Sequence, residues 1–236
     1  MPMRPVIRIS KNVFGPVMAA MLLLSAHGAM AQQGTAAQDV ARLYALPPEG
    51  SIYVRVLNPE RKNIQVQVGD GRTEQLSASA KLASDYRVQP GGGDFRVRVD
   101  GKPLKVEGRA PGSGFVTLVL KPGAAASAYP IIDQAQGGGG LKAELALYNL
   151  VQGCSAKLSL AAGAVVLPSV AEATRAVRAI NPVQAVLVGQ CGASTSAPLE
   201  LPALKAGDRY SLFLIGGADA PVLKGQAART EAYRAR

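Results

Sequence analysis

The stretch Ile52-Tyr53-Val54-Arg55-Val56 decides the fold class. Its period is that of a half-buried strand, one face apolar and the other mixed, and not the 3.6-residue period of a helix. Ile64-Gln65-Val66-Gln67-Val68 repeats the pattern. Between them lies Asn58-Pro59-Glu60-Arg61-Lys62-Asn63, a polar connection whose Pro and Asn suit a hairpin loop. Further on, Phe95-Arg96-Val97-Arg98-Val99 ends at Asp100-Gly101, a strong turn signal. Phe115 to Leu120 is a more continuous apolar run, which predicts a strand in the middle of a sheet, buried on both faces.

The second half reads the same way. Ala143 to Asn149, Ala156 to Leu160, Val183 to Val188 and Tyr210 to Ile215 are short strands, and a displacement of 91 residues places Asn58 on Asn149, Arg87 on Arg178 and Gly101 on Gly192. The fold class expected is all-β, with two tandem β-sandwich domains over residues 42–123 and 141–225, each large enough for a small core. Residues 124–140, rich in small residues and glycine, read as the linker. The Ala-rich segment Val170 to Ala179 stays ambiguous, since alanine favours helix while its place in the repeat favours an extended edge. Residues 226–236 read as a loose, basic tail.

Ahead of the first sandwich, Arg4, Arg8 and Lys11 precede an uncharged apolar run from Val13 to Met30, which closes on Ala29-Met30-Ala31. Basic, apolar and cleavable regions in that order form a secretory signal over residues 1–31, with Gln32 the expected mature N-terminus, no membrane span after cleavage, and the periplasm as destination. The alternative is an uncleaved anchor, against which the Ala-x-Ala boundary and the polar Gln32-Gln33 speak. His27, the single histidine, lies within the signal. Its removal excludes Ser-His-Asp and Cys-His chemistry. No serine sits in a Gly-x-Ser-x-Gly elbow, the glycine clusters lack Walker spacing, and the carboxylates are scattered, so no catalytic residue is assigned and the protein is read as no enzyme. Two cysteines do not make a zinc site, and neither a metal nor a cofactor is implied. Cys154 and Cys191, exported together, are expected to form a disulfide. A net charge of +10 without basic clusters beside aromatics argues against nucleic acid and suits an anionic polysaccharide or the acidic face of a partner protein.

Leu43-Tyr44, Pro48-Glu49-Gly50-Ser51, Val54-Arg55-Val56, Asn58, Ser84-Asp85-Tyr86 and Pro90-Gly91, followed by Ile180-Asn181-Pro182-Val183, Leu204 to Gly207 and the strand Tyr210 to Ile215, resemble the alginate O-acetylation protein AlgF family over most of the mature chain. The cysteine pair and the residues beyond Lys224 are not part of that likeness. The resemblance implies a periplasmic two-domain β-sandwich protein that catalyses nothing itself. It would be required for O-acetylation of an exopolysaccharide, alginate or a related polymer such as cellulose, and would mediate contacts between an acetyl-relay protein and periplasmic acetyltransferases. A direct anionic-polysaccharide-binding module is the alternative function. From the matched motifs, the partner-binding residues expected are Arg55, Asn58, Arg175, Arg178, Asn181 and Pro182. Arg55 should face outward from its strand, opposite Val54 and Val56. Arg175 and Arg178 flank Ile180-Asn181-Pro182, where guanidinium forks could meet a partner's carboxylates. On the alternative reading Asn181-Pro182 is only a turn before a strand, and Asn58 only bonds its own backbone.

Overall fold

Strands follow the period-two segments wherever the chain is described. The computed structural model describes residues 49–60, 62–123, 126–133 and 141–231, all within one compact unit. The signal segment 1–31 lies outside the described residues. The first half contains β1 (Ser51–Leu57), β2 (Ile64–Val68), β3 (Glu74–Leu76), β4 (Arg87–Pro90), β5 (Val97–Val99), β6 (Lys102–Pro103), β7 (Lys105–Val106), β8 (Gly114–Leu120) and β9 (Ser127–Asp133). The second contains β10 (Ala143–Asn149), β11 (Ala156–Leu160), β12 (Val165–Val170), β13 (Thr174–Ile180), β14 (Val186–Cys191), β15 (Ser194–Thr195), β16 (Leu199–Glu200), β17 (Arg209–Gly216) and β18 (Pro221–Ala227). No helix occurs among the described residues, and none there is long and apolar enough to cross a membrane.

Each half is two facing sheets. The order β4-β1-β8-β9-β7 packs over β3-β2-β5-β6, and β13-β10-β17-β18 packs over β12-β11-β14-β15, with β16 also beside β14. Between the first two sheets lie Ile52, Val54, Val56, Val66, Val68, Val97, Val116 and Leu118. Between the second two lie Leu145, Leu147, Ala156, Leu158, Leu187, Leu212 and Leu214. A Cβ on Gly189 of β14 would press on the Leu214 side chain across this core, which would have to shift.

The register makes the repeat concrete. β1 runs parallel to β8 and antiparallel to β4, with Val54 opposite Arg87. β10 runs parallel to β17 and antiparallel to β13, with Leu145 opposite Arg178. Both pairs are displaced by the same 91 residues. Asp100 and Gly101 both adopt positive φ, 48° and 78°, the conformation that the two-residue turn between β5 and β6 demands.

Two expectations are corrected, and one open reading is resolved as an extended edge. The proposed linker 124–140 contributes strand β9, because Ala128 and Ile131 alternate into two apolar clusters while the far end carries the buried Asp133. Its glycines 137–140 lie outside the described residues. The Ala-rich segment is strand β13, its backbone paired with β10 along seven residues. The tail is docked as far as Glu231: Gln226 Oε1 accepts from the amides of Leu82 and Ala83 at 3.1 Å each, and Tyr86 exchanges backbone bonds with Arg229 and Glu231 at 2.8 and 2.9 Å.

Cys154 and Cys191 are joined, with Cα atoms 5.6 Å apart and a sequence separation of 37, and both are buried in the second core. The bridge adds a covalent tie beside the β11–β14 pair, where Ala156 stands opposite Cys191. Closing a loop of that size stabilises a fold by about 3–4 kcal/mol. Replacing both cysteines with alanine is therefore expected to lower the unfolding free energy by about that amount; urea denaturation with no change would show the bond to be dispensable.

Candidate functional site

In each half the long sheet has a second face, opposite its core, and these two faces meet. Leu57, Leu82, Ala83, Val119 and Ile131 of the first half pack with Ala146, Tyr148, Phe213 and Ile215 of the second. β1 is buried on both sides for this reason, which turns Arg55 from an outward-facing contact into one of the largest fully buried side chains, 1% exposed. Its strand face was read correctly, but what covers that face is the second sandwich, which a strand period cannot reveal.

Equivalent positions of the two halves grip Arg55. Thr117 stands beside Arg55 in β8, as Ser211 stands beside Ala146 in β17. Arg55 Nε donates to Thr117 Oγ1 at 2.9 Å, and its Nη1 donates to Ser211 Oγ at 3.0 Å. The flat guanidinium lies against the rings of Tyr86, Tyr148 and Phe213 at 4.5, 5.0 and 5.5 Å from their centroids, a cation–π arrangement suited to arginine.

The charge is balanced by Asp133, at the end of β9 and 3% exposed. Its Oδ2 accepts from Thr117 and Tyr86, both at 2.6 Å. Its Oδ1 accepts from the Tyr148 hydroxyl at 2.8 Å and pairs with Arg175 Nη1 at 2.9 Å. Burial acts to raise the Asp133 pKa, but Arg55, then Arg175 and the hydroxyl donors, outweigh it and hold the carboxyl below its ordinary value. Burial also raises Tyr86 well above the usual phenol range and raises Tyr148, so both remain donors at neutral pH. With four donors on one carboxylate and a cavity of only ≈ 30 Å³ alongside, there is space for about one water and none for a sugar. The cluster can fix the two halves against each other, with both Asp133 oxygens engaged by donors.

The structure thus brings Arg55 and Arg175 together and scatters the other expected contact residues. Asn58 ends β1 and bonds its own loop, donating to Lys62 O at 2.8 Å and accepting from the Glu60 amide at 3.1 Å. Asn149 does the same in the second half with Val151 and Cys154, and also donates to Val170 O at the end of β12. Arg178 is exposed on β13, and Asn181 and Pro182 are exposed in the connection to β14. Sequence reasoning missed Asp133, Tyr148, Thr117 and Ser211. A usable signal existed: Arg55, Thr117 and Ser211 are isolated polar residues inside runs that are otherwise apolar, and buried polar groups need partners.

The fold and this junction define the class: an all-β protein of two facing-sheet sandwiches locked by a buried arginine–carboxylate cluster. The sequence model of the family described as "Alginate O-acetyl transferase AlgF" matches residues 21–211, and the chain belongs to that family. It is 29% identical over 198 residues to the "Alginate biosynthesis protein AlgF" of Azotobacter vinelandii, covering 84% of this chain and 86% of that one. Among solved structures it is similar to the C-terminal domain of AlgF from P. aeruginosa, at 25% identity and a TM-score of 0.33, over 37% of this chain and 98% of that one.

Asp133→Asn removes the charge while Arg55 stays buried and Arg175 partly covered, which is expected to cost about 3–5 kcal/mol at neutral pH. Because the folded pKa of Asp133 is depressed, its contribution is complete above about pH 4, the unfolded value, and is lost as pH falls below that. Urea unfolding of wild type and variant should therefore differ most near pH 7 and converge toward pH 2; a difference independent of pH would contradict the assignment.

Proposed function

We propose that the protein is a noncatalytic periplasmic adaptor, built of two sandwich domains, that is required for O-acetylation of an exopolysaccharide and mediates contacts between acetyl-relay and acetyltransferase proteins. The observation that carries this reading is the family match, which covers the first sandwich and the second as far as residue 211 and ties the chain to alginate O-acetylation. Three further features support the adaptor role over the transferase one. The chain's one histidine, His27, stands inside the expected signal. Asp133 is saturated by donors inside the junction. The cluster builds a rigid two-part body, which suits a protein that must present separate surfaces at a fixed spacing to two partners. Alginate is the polymer named by the relatives; acetylated cellulose is a second polymer with the same chemistry at its hydroxyls.

The second reading, direct binding of an anionic polysaccharide, is favoured by a groove of ≈ 390 Å³ lined by Pro59, Asn63, Ala78, Ser79, Ile215, Val222 and Lys224. It offers a single cationic side chain and no aromatic ring, less than a sugar-stacking platform uses.

Deleting the gene in its host is expected to leave polymer synthesis intact and to remove its O-acetyl groups, with restoration by the wild-type chain. Normal acetate content in the polymer of the deletion strain would refute the proposal.

A further inference from the structure

The repeat places an occupied strand edge and an open one at equivalent positions. In the first half, the edge residue Arg87 is 4% exposed and held by two carboxylates, Glu74 at 3.1 Å and Glu231 at 2.8 Å. Glu231 arrives on the C-terminal segment, which lies parallel to the chain at Tyr86: the Tyr86 amide donates to Arg229 O, and Tyr86 O accepts from the Glu231 amide. The chain thus covers the start of its own first edge, at Tyr86 and Arg87, with an extended peptide that carries a glutamate.

Arg178 and Val177 occupy the places of Arg87 and Tyr86 in the second half, 91 residues on. Glu74 stands opposite Val66; opposite its counterpart Lys157 the β12 strand carries Pro168 and Ser169, so the internal acid is gone. β13 ends its sheet, and no strand pairs with its outer edge among the described residues. Arg178 is exposed and makes no hydrogen bond or ion pair among the described residues, whereas its neighbour Arg175 is committed to Asp133. A seven-residue edge with no proline is a template for strand addition.

We propose that β13 is a docking edge for an extended segment of a partner protein that carries a glutamate or aspartate, which pairs its backbone with β13 and its carboxylate with Arg178, as Arg229-Thr230-Glu231 does on the first half. This specifies a surface for the adaptor role proposed above and rests on that reading. A protein segment fits better than a polysaccharide, because the open edge offers alternating amides and carbonyls that a sugar chain cannot pair in register. The exposed Asn181-Pro182-Val183 connection lies directly beyond the end of β13 and would border the docked segment.

The test uses the mature full chain, isotope-labelled for NMR, and a synthetic peptide copying Gly225 to Glu231 as the acidic strand probe. Saturable shifts of the Thr174–Ile180 amides are expected. Arg178→Ala should weaken binding about tenfold, the peptide carrying Glu231→Gln should do the same, and Arg178→Glu should regain binding to the peptide carrying Glu231→Lys. Shifts confined to Tyr86 and Arg87, or none at millimolar peptide, would overturn the proposal. So would stronger binding of an oligouronate at the same amides, which would make the edge a polysaccharide site, or an Arg178-dependent dimer in sedimentation, which would make the occupant a second copy. Loss of acetylation on gene deletion together with no binding at β13 would reject this edge and leave the adaptor reading standing; normal acetylation would reject that reading.

Discussion

The Asp133 carboxylate between Arg55 and Arg175 is the constraint on which the rest of the molecule depends. The Arg55 guanidinium and the Asp133 carboxylate are out of water at the contact of two sandwiches, with the partly covered Arg175 paired beside them. Such an arrangement is tolerable only if nearly every lone pair and donor finds a partner. The partners come from four strands and one connection, and from both halves: Thr117 in β8, Ser211 in β17, Tyr148 in β10, Arg175 in β13, and Tyr86 just before β4. Moving one half strands a charge in the other. An apolar junction alone could slide; this one has a single register.

The two halves show how one topology is put to two uses. Parallel pairing of the first and eighth strands recurs in the tenth and seventeenth, and Asn58 and Asn149 brace the same loop. What differs is at matched positions. Arg55 corresponds to Ala146, so one half supplies the buried cation and the other the space for it. Arg87 is buried and doubly paired, while Arg178 is exposed. The charged edge is closed by the chain itself on one side and is open on the other.

How much of this the sequence made legible follows from the range of each interaction. Strand positions and the 91-residue repeat were readable because alternation is local, and the Cys154–Cys191 bond because compartment chemistry needs no coordinates. The junction was not readable, since period two says which face a residue occupies but not what lies over it. Arg55 was placed on the right face and wrongly assigned to solvent for that reason. Asp133 was hidden inside a supposed linker, whose Ala and Gly content masked a strand held by tertiary pairing with β8. The docked tail was missed because Gln226 and Glu231 make contacts with residues more than a hundred positions away, which no local pattern records.

The central claim is that both sandwiches form one cooperative body through the Asp133 cluster. Differential scanning calorimetry of the mature chain tests it most directly. The account predicts one transition whose calorimetric and van't Hoff enthalpies agree, and two separate transitions in the Asp133→Asn variant. Two independent transitions in the wild-type protein would contradict it.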